Sequence, residues 1–144
     1  MSTKNIHLLH VEDDSIDRMV VQRVLKKFSC VASIYQAQNG EEALAMLRGQ
    51  DGKGPLSPFP NVILTDINMP KMNGIEFLRE LRADEKLKTF PVFVFTTSND
   101  DNDKASAHNF NIAGYIVKPL DLTVIDTTFK TLTDCWMLCE LPSI

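Results

Sequence analysis

Cysteine is scarce: there are three, an odd count, and no C-x-x-C pair among them. That pattern predicts reduced thiols in a cytoplasmic protein rather than a disulfide scaffold. No apolar run approaches the roughly 18 residues that a membrane span needs, and Met1 to Asn5 lack the apolar core of a signal peptide. No membrane role is expected. Positive charge is also short, with 15 Lys+Arg against 19 Asp+Glu and a net charge of −4. Without a basic surplus to neutralise a phosphate backbone, no nucleic-acid partner is expected either. Internal repeats and low-complexity tracts are absent. What remains is ordinary: 144 residues, 44% apolar and 24% charged. This is one domain's worth of chain with one substantial core, and it excludes disorder, collagen and coiled-coil rods.

Short apolar runs alternate with amphipathic stretches. His7 to Val11, Cys30 to Ala37, Asn61 to Thr65, Val92 to Phe95 and Gly114 to Val117 are four to eight residues long and rich in β-branched or aromatic side chains. They read as buried strands. Between them the spacing is helical. Ile16, Val20, Val24, Leu25 and Phe28 share a face, with Asp14 or Ser15 able to cap the start. Ala43, Leu44 and Leu47 follow Asn39-Gly40. Ile75, Leu78 and Leu81 follow Gly74. A fourth helix over 99–110 has a thin stripe of Ala105, Ala107 and Phe110, and a fifth covers about 121–139. Five strands alternating with five helices predict an α/β fold with a doubly wound five-stranded parallel sheet. Residues 49–60, with three Gly and three Pro, read as a mobile surface loop.

The polar residues that follow the strands carry the chemistry. Glu12, Asp13 and Asp14 follow the first, Asp66 the third, Thr96, Thr97 and Ser98 the fourth, and Lys118 and Pro119 the fifth. In an open parallel sheet the carboxyl ends share one edge, where ligands bind at the topological switch point. Glu12, Asp13, Asp66, Thr96 and Lys118 should therefore converge. Clustered carboxylates cannot all stay ionised without a cation. An all-oxygen set suits a hard divalent ion such as Mg²⁺, and no Cys or His lies near enough to favour zinc. With a Lys and a Thr beside it, the site can hold a tetrahedral anion, and Asp66 can act as a nucleophile toward phosphorus. His7, His10 and His108 show no ligand spacing and read as structural.

These residues resemble the receiver domain of two-component response regulators. The matching motifs are Val11-Glu-Asp-Asp14, Leu64-Thr-Asp-Ile-Asn-Met-Pro70 with Gly74, Phe95-Thr96, and Tyr115-Ile-Val-Lys-Pro119. The resemblance covers nearly the whole chain. It implies a (βα)5 flavodoxin-like receiver fold, with Asp66 as phosphoacceptor. It implies Mg²⁺ held by Asp13, Asp66, the Asn68 backbone carbonyl and, through water, Glu12. Lys118 and Thr96 would contact the phosphoryl group, Tyr115 would be the aromatic switch, and Lys118-Pro119 would be a cis peptide. A sensor histidine kinase or phosphotransfer protein would donate the phosphoryl group. A downstream protein would read the result, and the domain would be a signalling module rather than an enzyme.

One departure has a consequence. Thr97 stands where receivers often carry Ala or Gly, and its branched side chain narrows the approach to Asp66. Small donors such as acetyl phosphate are expected to react slowly, and Thr97→Ala should raise that rate. Unchanged rates of phosphorylation and dephosphorylation in the variant would overturn the expectation. In the last helix, Leu122, Ile125, Phe129, Leu132, Trp136 and Cys139 form one apolar stripe, expected to bury against the sheet. Trp136 with its Met and Cys neighbours offers a surface for a partner or a homodimer. This tail and the 49–60 loop resemble phytochrome-associated single-domain regulators. Residues 1–144 are expected to be a single receiver without an output module. Two rivals are weaker. An aspartyl-nucleophile phosphohydrolase typically needs an acid two residues after Asp66, where Asn68 stands. A degenerate receiver serving as a constitutive interaction module would not need Glu12, Asp13, Asp66, Thr96 and Lys118 intact.

Overall fold

The β-branched runs form strands, and the amphipathic stretches form helices that return across the sheet. The computed structural model describes residues 5–52 and 56–143. Strands β1 (Ile6–Val11), β2 (Val31–Ala37), β3 (Val62–Thr65), β4 (Val92–Thr96) and β5 (Gly114–Val117) alternate with five helices. These are α1 (Ser15–Leu25), α2 (Gly40–Arg48), α3 (Gly74–Ala83), α4 (Asp101–His108) and α5 (Leu122–Leu138). All strand pairs are parallel, in the order β2-β1-β3-β4-β5. The doubly wound sheet is the one expected, and its winding reverses between β1 and β3. Among the described residues no helix is long and apolar enough to cross a membrane.

Alternation along the strands splits the core in two. Leu9, Val11, Ile63 and Val94 face Phe77, Leu78 and Leu81 of α3 and Leu44 and Leu47 of α2. Ile6, Leu8, Leu64 and Phe95 face Val21, Val24 and Leu25 of α1 and Phe129 and Trp136 of α5. Each such side chain, fully buried, contributes about 1.5–3 kcal/mol. The helix starts are capped: Asp14 accepts from Ile16 and Asp17 N–H, Asn39 from Glu42 N–H, and Asn73 forms a capping box with Glu76. Each cap is worth about 1 kcal/mol.

The structure departs from the pattern at helix ends. Ile16 is 65% exposed and Leu122 66% exposed, while Val21 and Thr133 are buried in their helices. Ile16 and Leu122 lie in first turns, which start beyond the carboxyl edge of the sheet and have nothing to pack on. Thr133 tolerates burial because its hydroxyl donates to the Lys130 carbonyl at 3.0 Å. Cys139 is the C-cap of α5 and is exposed, so it does not continue the stripe. Trp136 is 1% exposed, edge-on to Phe93 with ring centroids 5.7 Å apart, and is unavailable as a surface anchor. Helix α4 is shorter than 99–110, and Ala107 is its one buried residue. Of the Gly/Pro-rich loop, residues 53–55 lie outside the described residues. The part after them is pinned: the Phe59 ring sits 6.0 Å from that of Phe90, and the Tyr35 hydroxyl donates to the Pro58 carbonyl at 2.6 Å. The cis peptide expected at Lys118-Pro119 is not found. The cis bond among the described residues is Ser57-Pro58.

Candidate functional site

Three of the carboxylates meet where the winding reverses. One ligand oxygen each from Glu12, Asp13 and Asp66 lies within 4.8 Å of the others. The backbone sets this spacing. Glu12 N–H donates to the Ala37 carbonyl at 2.9 Å and Asp66 N–H to the Val11 carbonyl at 3.0 Å, which locks both acids to the sheet edge. Ile67 N–H then donates to Asp66 Oδ1 at 2.7 Å. Behind Asp66, Gly74 opens α3 and its N–H donates to the Ile67 carbonyl at 2.8 Å.

Lys118 reaches into this cluster from the end of β5, its N–H held by the Thr96 carbonyl at 2.7 Å. The ammonium donates to Glu12 Oε1 at 2.6 Å, to Asp17 Oδ2 at 2.8 Å and to Asp66 Oδ2 at 3.3 Å. Glu12 Oε2 accepts from Asp14 N–H at 3.2 Å, so both its oxygens are engaged within the protein. Asp13, in contrast, is exposed. Glu12 is thereby the inner acid and Asp13 the outer one. Burial pushes the Glu12 carboxyl up to about 7, against the pull of the Lys118 hydrogen bond and with the Asp66 charge adding to the rise. Burial alone would lower the Lys118 ammonium, but hydrogen bonds to Asp17 and Glu12 outweigh it and hold the group above its ordinary value. A set of hard oxygen donors holding excess negative charge fits a hard divalent cation. Asn68 lies exposed on the loop after Asp66.

Thr96 and Tyr115 belong to a neighbouring network. Thr96 is fully buried, and its Oγ1 accepts from Ser98 N–H at 3.2 Å. The Tyr115 hydroxyl donates to the Ser98 carbonyl at 3.0 Å. The Ser98 hydroxyl donates to Asp103 Oδ2 of α4 at 2.5 Å. Ser98 thus joins the ends of β4 and β5 to α4. Thr97 is exposed at the rim and Pro119 is half-buried.

Two participants carried no clear sequence signal. Arg18 donates through one guanidinium nitrogen to the Glu12 and Asp13 carbonyls at 2.8 and 2.9 Å, clamping the acidic turn. Asp17 shares Lys118. Both lie near the start of α1, where lone charged residues are usually solvated, and only the placement of α1 against the turn after β1 and against Lys118 reveals them.

His10, read as structural, lies on β1 beneath the cluster. It is 1% exposed, its Nδ1 has no partner, and burial first, then the Lys118 charge, lowers it to about 3. A histidine lowered on folding supplies its stability fully above the unfolded value near 6.5, and loses it as pH falls toward 3. Removing an unsatisfied buried polar atom is worth about 1–3 kcal/mol. His10→Leu is therefore expected to be more stable. The gap should widen below pH 6.5 by up to about 1.4 kcal/mol per pH unit. Urea denaturation of both chains between pH 5 and 8 checks this, and a gap that closes on acidification would refute it.

Comparison with known proteins adds to this geometry. Residues 8–130 match the family described as response regulator receiver domain. The response regulator Rcp1 of Synechocystis sp. is 33% identical over 130 residues, covering 90% of this chain and 88% of that protein. The crystal structure of the phosphorylated cyanobacterial phytochrome response regulator RcpA superposes with a TM-score of 0.89 at 29% identity, covering 96% of this chain and 99% of that one. The Mn²⁺-bound form of response regulator Rcp1 superposes with a TM-score of 0.87 at 32% identity, covering 96% and 99%.

Proposed function

The chain belongs to the response regulator receiver domains of two-component signalling, and from that premise we propose that it accepts a phosphoryl group on Asp66 from a histidine kinase. The observation that carries this reading is the Asp66 carboxylate, with Lys118 Nζ at 3.3 Å and two further acids beside it. A carboxylate oxygen attacks phosphorus, the O–P bond forms as the P–N bond to the kinase histidine breaks, and the imidazole leaves with the electron pair and takes up a proton. The work asked of the protein is positioning and charge neutralisation. Mg²⁺ would be held by Asp13, Asp66, the Asn68 carbonyl and, through water, Glu12, and when bound it neutralises charge on the phosphoryl oxygens. Lys118 pairs with those oxygens from the β5 side. The Thr96 hydroxyl, which accepts from Ser98 N–H, then donates its own proton in a hydrogen bond to a phosphoryl oxygen, and Tyr115 follows through its bond to the Ser98 carbonyl. Helix α4 is tied in through Asp103 and has little buried surface to resist movement.

In this reading the protein is a phosphorylation-dependent binding module in the cytoplasm rather than an enzyme with turnover, and residues 1–144 act as one receiver. Its likeness to RcpA supports a phytochrome-type kinase or a phosphotransfer protein as donor. Exposed Val117, Leu120, Leu122 and Val124, from the end of β5 through the connection to the start of α5, support a homodimer or partner surface there. The test is phosphotransfer from purified, radiolabelled histidine kinases in the presence of Mg²⁺. Label should enter the wild-type chain as an acid-stable, base-labile acyl phosphate, with none in Asp66→Asn and none in EDTA. Equal labelling of Asp66→Asn would overturn the reading.

A further inference from the structure

Lys118 carries three N–H donors, and all three are spent on carboxylates: Glu12 at 2.6 Å, Asp17 at 2.8 Å and Asp66 at 3.3 Å. Its shortest bonds therefore point away from the residue it must serve. A phosphoryl group on Asp66 brings further acceptor oxygens, so the ammonium must give up one of these bonds to reach them. The three are not equally costly to release. The Glu12 side chain is 1% exposed and that of Asp66 9%, whereas that of Asp17 is 41% exposed. Water can take over the Asp17 carboxylate, but it cannot reach the other two without opening the site. Asp17 also sits on a different element from the metal-facing acids, in the first turn of α1, where Asp14 caps its own N–H at 3.0 Å. Its carboxylate thus tethers the tip of Lys118 to α1.

We infer that Asp17 is a positioning residue that restrains Lys118 in the unphosphorylated state and is exchanged for the phosphoryl group. The inference rests on the phosphoacceptor reading of Asp66 and adds a residue to it. Neutralising the carboxylate weakens a bond that exists only before phosphorylation, so the phosphoryl-bound state gains relative to the unmodified one. Asp17 acts through Lys118 and does not touch the phosphoryl group.

The test uses the full chain with saturating Mg²⁺ and beryllofluoride, whose tetrahedral BeF₃ group on a carboxylate stands in for the phosphoryl group. Titration is followed by the backbone amide resonances of Thr96 and Thr97. Asp17→Asn should bind about two- to fivefold more tightly than wild type, the range an exposed ion pair allows. Asp17→Glu, which restores the charge, should return the affinity close to wild type. A purely structural role for Asp17 would weaken binding or leave it unchanged in Asp17→Asn, and either result overturns the inference while leaving the phosphoacceptor reading standing. Failure of the wild-type chain to bind beryllofluoride overturns both.

Discussion

Lys118→Met should cost about 3–5 kcal/mol of folding stability at pH 8 without divalent metal, the range for removing one partner from a buried ion pair. The side chain is 10% exposed and is the counter-ion of Glu12 and Asp66, themselves 1% and 9% exposed. Methionine fills the space of the lysine stem and removes the charge. Two buried carboxylates are then left facing each other, with Asp13 close by. The loss should depend on pH in a definite direction. Burial already raises Glu12 to about 7, and without Lys118 it rises further. Below that value Glu12 is protonated, and one of the two uncompensated charges disappears. The destabilisation should therefore be largest above pH 8 and shrink toward pH 6. Millimolar Mg²⁺ should recover more stability in the variant than in wild type, because a divalent ion bound by the same acids supplies the missing positive charge. Urea denaturation at pH 6 and pH 8, with EDTA and with Mg²⁺, measures all of these. A loss below about 1 kcal/mol at pH 8 in EDTA would show that water, rather than Lys118, screens these acids.

The contrast between Lys118 and its partners shows what a sequence reveals about such a site. Glu12, Asp13, Asp66 and Lys118 were legible because each directly follows a short β-branched run, and a parallel sheet brings the carboxyl ends of its strands to one edge. The topology does the work, and a single residue's place in it follows from counting strands. Asp17 and Arg18 were not legible, because their role depends on the rotation of α1 about its axis. A lone acid or base in a first helical turn looks the same whether it meets Lys118 or water. The apolar face of α1 is legible at Val20, Val24, Leu25 and Phe28 but not at its start, for a related reason. Helical spacing admits Ile16 and Val21 equally, and only the height of the first turn above the sheet leaves Ile16 exposed and Val21 buried. The Thr96 hydroxyl illustrates a further limit. Its place at the end of β4 is readable, but its engagement with Ser98 N–H rather than the acids depends on the turn into α4. Trp136 sits on the stripe expected to bury against the sheet, and it does so edge-on to Phe93, which removes it from the partner surface that its helix end also suggested.

Gly74→Ala should damage stability and metal binding together, although Gly74 is no ligand. A Cβ at this position would collide with the backbone carbonyl of Asp66 and lie 2.9 Å from Ile67 Cα. These are backbone atoms, and no side-chain rotation relieves the overlap. The β3–α3 turn is also held from both sides. Gly74 N–H is bonded to the Ile67 carbonyl at 2.8 Å, and Asp66 N–H to the Val11 carbonyl at 3.0 Å. To admit the methyl group, either α3 must shift or Asp66 must move with its carboxylate. Overpacking of this kind costs about 1–3 kcal/mol, and more where the neighbours cannot give; the upper end is expected here. Displacing a ligating carboxylate through its support typically lowers metal affinity about 10- to 100-fold. Gly52→Ala is the control. Gly52 has φ of 71°, so its substitution strains the backbone, but a Cβ there meets open space. It should cost about 1 kcal/mol and leave Mg²⁺ affinity unchanged. Denaturation in EDTA and Mg²⁺ titration of the folded chain separate the two effects. Gly74→Ala with wild-type Mg²⁺ affinity would mean that α3 yields and Asp66 stays. The position of Asp66 would then be set by the β1–β3 pairing alone, without the helix behind it.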